Sequence, residues 1–74
     1  MVSDLEVVKK IILQNYKAYR KPISVLEVEK LLEQVKESSV PYNDVMRILN
    51  ALKLGRAIKG DHTTGYIPLY EEVK

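Results

Sequence analysis

The chain has no cysteine, no phenylalanine, no tryptophan and a single histidine among its 74 residues. Without cysteine there is neither a disulfide framework nor a thiolate zinc site, and one histidine cannot supply a His-rich metal centre. No apolar run approaches the roughly 18 to 20 residues that cross a bilayer. No segment joins a charged start, an apolar centre and a small-residue cleavage site. These absences lead to the expectation of a soluble, cytoplasmic protein that needs no metal or other cofactor and is held together by aliphatic packing. The scarcity of cysteine beside many Lys and Glu also suits a thermophilic source.

What is present fits one small domain, residues 1–74, a size that buries roughly 60% of the surface of its unfolded chain. The apolar residues are mostly Val, Ile and Leu, with five tyrosines. Net charge is only +2, so overall charge announces no nucleic-acid partner, and its distribution says more. Lys9, Lys10, Lys17, Arg20 and Lys21 follow one another with no acid between them. Glu27, Glu29, Glu33 and Glu37 then outnumber Lys30 and Lys36, and from Tyr42 to Gly60 the cations Arg47, Lys53, Arg56 and Lys59 face Asp44 alone. Two basic segments flank an acidic one.

Ser3-Asp4-Leu5-Glu6 has the S-x-x-E form of a capping box and predicts a helix start. Leu5, Val8, Ile12, Tyr16 and Tyr19 recur at helical spacing, with Ile11 widening the stripe. The spacing predicts a first helix over about 4–20, ended by Pro22, which disfavours helical geometry at Lys21. Pro22-Ile23 reads as a short extended piece. Ser24-Val25-Leu26-Glu27 repeats the capping pattern, and Val25, Val28, Leu31, Leu32 and Val35 predict a second amphipathic helix over about 25–37. Pro41 suits the first turn of a third helix over about 41–54, whose inward stripe is Val45, Ile48, Leu49 and Leu52. Gly55 is expected to close it in the left-handed conformation.

Beyond Gly55 the period becomes extended. Ala57-Ile58-Lys59, the turn-rich Gly60-Asp61-His62-Thr63-Thr64-Gly65 and Tyr66-Ile67-Pro68-Leu69-Tyr70 predict a hairpin over about 56–70. Tyr66, Pro68 and Tyr70 fall on one side of its second strand, Ile67 and Leu69 on the other. Pro68 lacks a ladder donor, so that strand is an edge or ends there.

The order helix, extended piece, helix, helix, strand, turn, strand resembles the winged helix-turn-helix family from Leu5 to Tyr70. The most specific stretch is VMRILNALKLGRAI, Val45 to Ile58, which is similar to the family's recognition helix and its entry to the wing. Two features depart from the pattern: the Val35-to-Pro41 link is longer than a tight helix-turn-helix turn, and Ala57 is small where the strand usually begins with a bulkier residue. The resemblance implies an α+β, mostly α winged-helix fold: three helices and a two-stranded hairpin wing, with a short extra strand near Pro22-Ile23.

It also implies a DNA partner, with the third helix in the major groove and the hairpin along the backbone or in the minor groove. If the aliphatic stripe faces inward, Tyr42, Asn43, Met46, Arg47, Asn50 and Lys53 lie on the outer faces. Arg47 has the fork for guanine, Asn43 or Asn50 the amide for adenine, and Lys53 a charge for phosphate. Tyr42 offers a hydroxyl to the backbone. In the wing, Lys59, His62, Thr63 and Thr64 bring a cation, hydroxyls and backbone N–H groups to phosphates.

Chemistry is not expected at this histidine. His62 stands beside Asp61, but no nucleophile or second ligand accompanies it. Gly60 and Gly65 lack the Lys-Ser/Thr ending and following helix of a phosphate loop. The expectation is therefore a protein that is not an enzyme. Tyr16 and Tyr19 read as core or dimer contacts, while Tyr66 and Tyr70 either cover the sheet or form a self-association surface. Two functional readings follow. One is a small sequence-specific or architectural DNA-binding regulator, as a homodimer able to read half-sites about one helical turn apart. The alternative is a winged-helix protein-interaction module in a larger assembly, favoured by the low net charge, the acidic second helix and an exposed hairpin edge.

Overall fold

The computed structural model of the protein describes residues 3–72; the expected domain's residues 1, 2, 73 and 74 lie outside it. Three helices, α1 (Asp4–Tyr19), α2 (Val25–Lys36) and α3 (Tyr42–Leu54), precede an antiparallel hairpin of β1 (Ile58–Asp61) and β2 (Gly65–Pro68). The layout is α+β, mostly α and winged-helix-like. Among the described residues no helix is long and apolar enough to cross a membrane.

The serine half of each predicted capping box forms. The Ser3 hydroxyl accepts from the Glu6 N–H at 3.3 Å and the Ser24 hydroxyl from the Glu27 N–H at 3.2 Å, each stabilising its helix by about 1 kcal/mol. Pro41 sits one place earlier than expected, as the N-cap of α3, where its carbonyl accepts from Asp44 and Val45. The far ends of α1 and α2 are joined by an exposed ion pair, Lys36 to Asp4 at 2.8 Å, which also shows that the two helices run antiparallel.

Helix closure differs from the expectation at Gly55. Gly55 keeps φ at −78°, and the left-handed residue is Arg56, with φ 60°. The Arg56 N–H reaches Lys53 O and the Ala57 N–H reaches Leu52 O, so the closing motif begins one residue later and still satisfies the last carbonyls. Arg20 and Glu37, both at φ 56°, close α1 and α2 in the same way. Every helix therefore ends on a long charged residue in a conformation that glycine adopts more cheaply.

The longer α2–α3 link is pinned by a side chain. Glu33 accepts from the Val40 N–H at 2.8 Å, and the Val40 side chain drops into the core. That core gathers Val8, Ile11 and Ile12 of α1, Val25, Val28 and Leu32 of α2, and Val45, Leu49 and Leu52 of α3. Ile23, Ile58 and Tyr66 cap it.

Three residues of the expected apolar stripes lie elsewhere. Leu5 is 40% exposed, Tyr19 69% and Val35 60%, whereas Leu13, outside the predicted stripe, is buried. α1 is covered on one side by α2 and α3 and on another by β2, so its buried surface is turned away from Leu5 and Tyr19 towards Leu13.

The hairpin pairs Ile58 with Pro68, Lys59 with Ile67, Gly60 with Tyr66 and Asp61 with Gly65. The extra strand expected near Pro22-Ile23 shrinks to one bridge, with Ile23 and Tyr66 exchanging both backbone bonds at 2.9 and 2.8 Å. Gly65 makes this possible: it has φ 90°, and a Cβ there would lie 2.9 Å from the Pro22 side chain and 3.0 Å from Ile23 O. Tyr66 is buried and so covers the sheet, which removes it from any self-association surface. Tyr70 packs against the core, and its hydroxyl donates to Lys9 O while the Lys9 ammonium stands 5.1 Å from its ring centre. Burial pushes the Tyr70 hydroxyl up to about 12.

Candidate nucleic-acid interface

α3 buries Val45, Leu49 and Leu52, a spacing that leaves its opposite side in solvent. Asn43, Arg47, Asn50 and Lys53 are exposed there, as is Tyr42 at its first turn. Met46 is the exception to the expected outer set. It is half-buried and packs against the core, as does Ile48, because these two flank the inward stripe on either side. Asp44 lies in the first turn, where a negative charge complements the helix dipole.

Two further residues border this face that the sequence reading did not assign to it. Arg56, exposed and left-handed, borders a shallow hollow with Asn50, Lys53 and Leu54. Its place in the basic segment was the available signal. Leu54 is 85% exposed, and its spacing, four residues after Asn50 and seven after Arg47, already places it on this outward face.

α3 packs against β1, so Lys53, Arg56 and Lys59 follow one another around the α3–β1 corner. Burial first, then the charges of ionised Asp61 and Tyr42, push the Tyr66 hydroxyl above its ordinary value.

The wing tip itself is organised by an acid. One Asp61 carboxylate oxygen accepts from the N–H groups of Thr63 and Thr64, both at 2.8 Å, and from the Thr64 hydroxyl at 3.1 Å. The Thr64 and Thr63 amides, in that order, hold the Asp61 carboxyl below its ordinary value. Two of the backbone donors expected to reach phosphates, those of Thr63 and Thr64, are therefore already engaged. Lys59, His62 and the Thr63 side chain remain exposed.

Comparison with protein-family models, with curated proteins and with solved structures gives no match. The class of the protein rests on its own layout: three helices, the third with an open polar side, and a hairpin packed beside it.

Proposed function

We propose that the protein is a small DNA-binding regulator without catalytic activity. α3 lies in the major groove, and the hairpin follows the backbone or enters the neighbouring minor groove. The observation that carries this reading is the exposed side of α3, where Asn43, Arg47 and Asn50 recur at helical spacing and Lys53 and Arg56 continue towards Lys59. These side chains suit base-edge contacts in the middle and phosphate contacts at the end. Met46, half-buried, contributes packing rather than a base contact. At the wing, Lys59 and His62 are the better phosphate partners, since Asp61 engages the amides of Thr63 and Thr64.

Binding to duplexes at several salt concentrations tests it. Affinity should fall on a log–log plot with a slope of about 0.9 per phosphate neutralised. Arg47→Ala should weaken a preferred site by about 1 to 3 kcal/mol, while Lys59→Ala should weaken all sequences alike and reduce the slope by about 1. Salt-independent binding, or indifference to both changes, would remove the proposal.

One observation favours the second reading, a protein-interaction module. Leu54 stands almost wholly in solvent beside the same α3 face, an apolar group suited to a protein pocket. A partner of that kind would be lost with Leu54→Glu and retained with Lys59→Ala.

A further inference from the structure

On the side of the molecule away from α3, the seam between α1 and α2 is an open groove in which apolar residues are interspersed with Gln14, Asn15 and Gln34. Ile11 and Leu31 form its floor, and Ala18, Tyr19 and Val35 rise along its edges. Val35 was expected in the core and Tyr19 either there or at a dimer contact; both are strongly exposed along this seam, Tyr19 at 69% and Val35 at 60%. Each of the three helices packs on the other two, so α3 and its open face lie opposite the groove.

The charges beside the groove say what fits it. Beyond the groove's α1 edge stand Lys10 and Lys17, which share a neighbouring hollow with Gln14 and Glu72, and Lys21 follows the helix; all three lysines are exposed. On the α2 side, at the same end as Tyr19, stands Glu27, with exposed Lys30 one turn further along α2. A second copy docked with α1 against α1 would set lysines against lysines. Turned about an axis parallel to the helices, it sets α1 against the other copy's α2, brings Glu27 opposite the Lys17 and Lys21 end, and closes the groove as a four-helix bundle.

We infer that the α1–α2 groove is the homodimer surface of this protein, occupied by the same groove of a second copy with α1 packed on α2. In this dimer the two α3 faces point away from each other. Such a pair joins two separate duplex segments rather than reading adjacent half-sites on one. The dimer stands independently of DNA binding, and it is tested without DNA.

Sedimentation equilibrium over a range of concentrations is the experiment. The wild-type chain should dimerise, and Tyr19→Glu and Val35→Lys should each raise the dimer dissociation constant by at least about tenfold. Both residues are exposed in the single chain, so circular dichroism should show the helices intact. Leu26→Lys, exposed on α2 outside the groove, should leave the constant unchanged. Glu27→Lys should weaken the dimer, and adding Lys17→Glu and Lys21→Glu in the same chain should restore it. A wild-type chain that stays monomeric, or a dimer indifferent to Tyr19 and Val35, overturns the inference. Failure of the charge swap to restore the dimer overturns the α1-on-α2 arrangement.

Discussion

Along α3, the side chains of Asn43, Arg47, Asn50 and Lys53 stand in solvent, while at the adjacent wing tip Asp61 collects the amides of Thr63 and Thr64 and the Thr64 hydroxyl. The two regions also turn the chain differently. α3 closes on Arg56 at φ 60°, where a side chain has room, and the hairpin turns through Gly60 at φ 124°, where a Cβ would come within 1.9 Å of Gly65 O. The helix presents its polar groups outward and tolerates a strained residue at its end. The tip consumes its own donors and tolerates no side chain at its glycine. A hairpin loop with two threonines and a histidine thus looks, in sequence, like a set of donors for a partner, and in the fold it is largely a self-sufficient turn.

The contrast breaks most sharply at Gly60. Gly60→Ala should destabilise the protein by about 3 kcal/mol, since it adds left-handed strain and a backbone clash together, and urea unfolding measures it. An alanine tolerated within a few tenths would show that the strands part without cost.

A smaller effect is expected at Asp61. Asp61→Asn keeps an oxygen for the Thr63 and Thr64 amides but removes the negative charge, so under the DNA reading it should raise duplex affinity at low salt by up to about fivefold. The acid form of the native residue tests the same contacts. Its folded pKa lies below the ordinary 3.8, so its contribution is complete above that value and is lost as pH falls through the lowered one. The amide resonances of Thr63 and Thr64 should therefore shift with a midpoint below 3.8. A midpoint above it would mean that the turn does not hold the carboxylate.

The smallest change should come at the helix end. Arg56→Gly should stabilise the protein by about 0.5 to 1 kcal/mol by relieving the left-handed strain, read as a raised urea midpoint. The same change removes a cation beside α3 and should weaken all duplexes alike.

The element order was legible because its signals are local. S-x-x-E marked two helix starts, Pro22 and Pro41 bounded the links, and the shift from a helical to an alternating period marked the hairpin. The errors arise where a neighbour far along the chain decides. A helical stripe states which residues share a face, but not which flank a later strand covers, so Leu13 was passed over and Tyr19 was left between core and dimer contact. Gly55 was a sound candidate for the left-handed position, but after α3 ends at Leu54 it keeps φ −78° and the left-handed turn falls on Arg56. For the candidate site, the outward set on α3 followed from periodicity, apart from Met46. The occupation of the wing-tip amides by Asp61 did not, because an aspartate in a turn can accept from its neighbours or face a partner, and only geometry separates the two.

The bridge between Ile23 and Tyr66 carries one more consequence. It splices the connection after the first helix to the last strand, and the Tyr66 ring closes the same core that Ile23 enters. Folding therefore cannot finish from the N-terminal side alone. A chain emerging from the ribosome and halted before Gly65 would lack the Tyr66 lid over the interior that the three helices share.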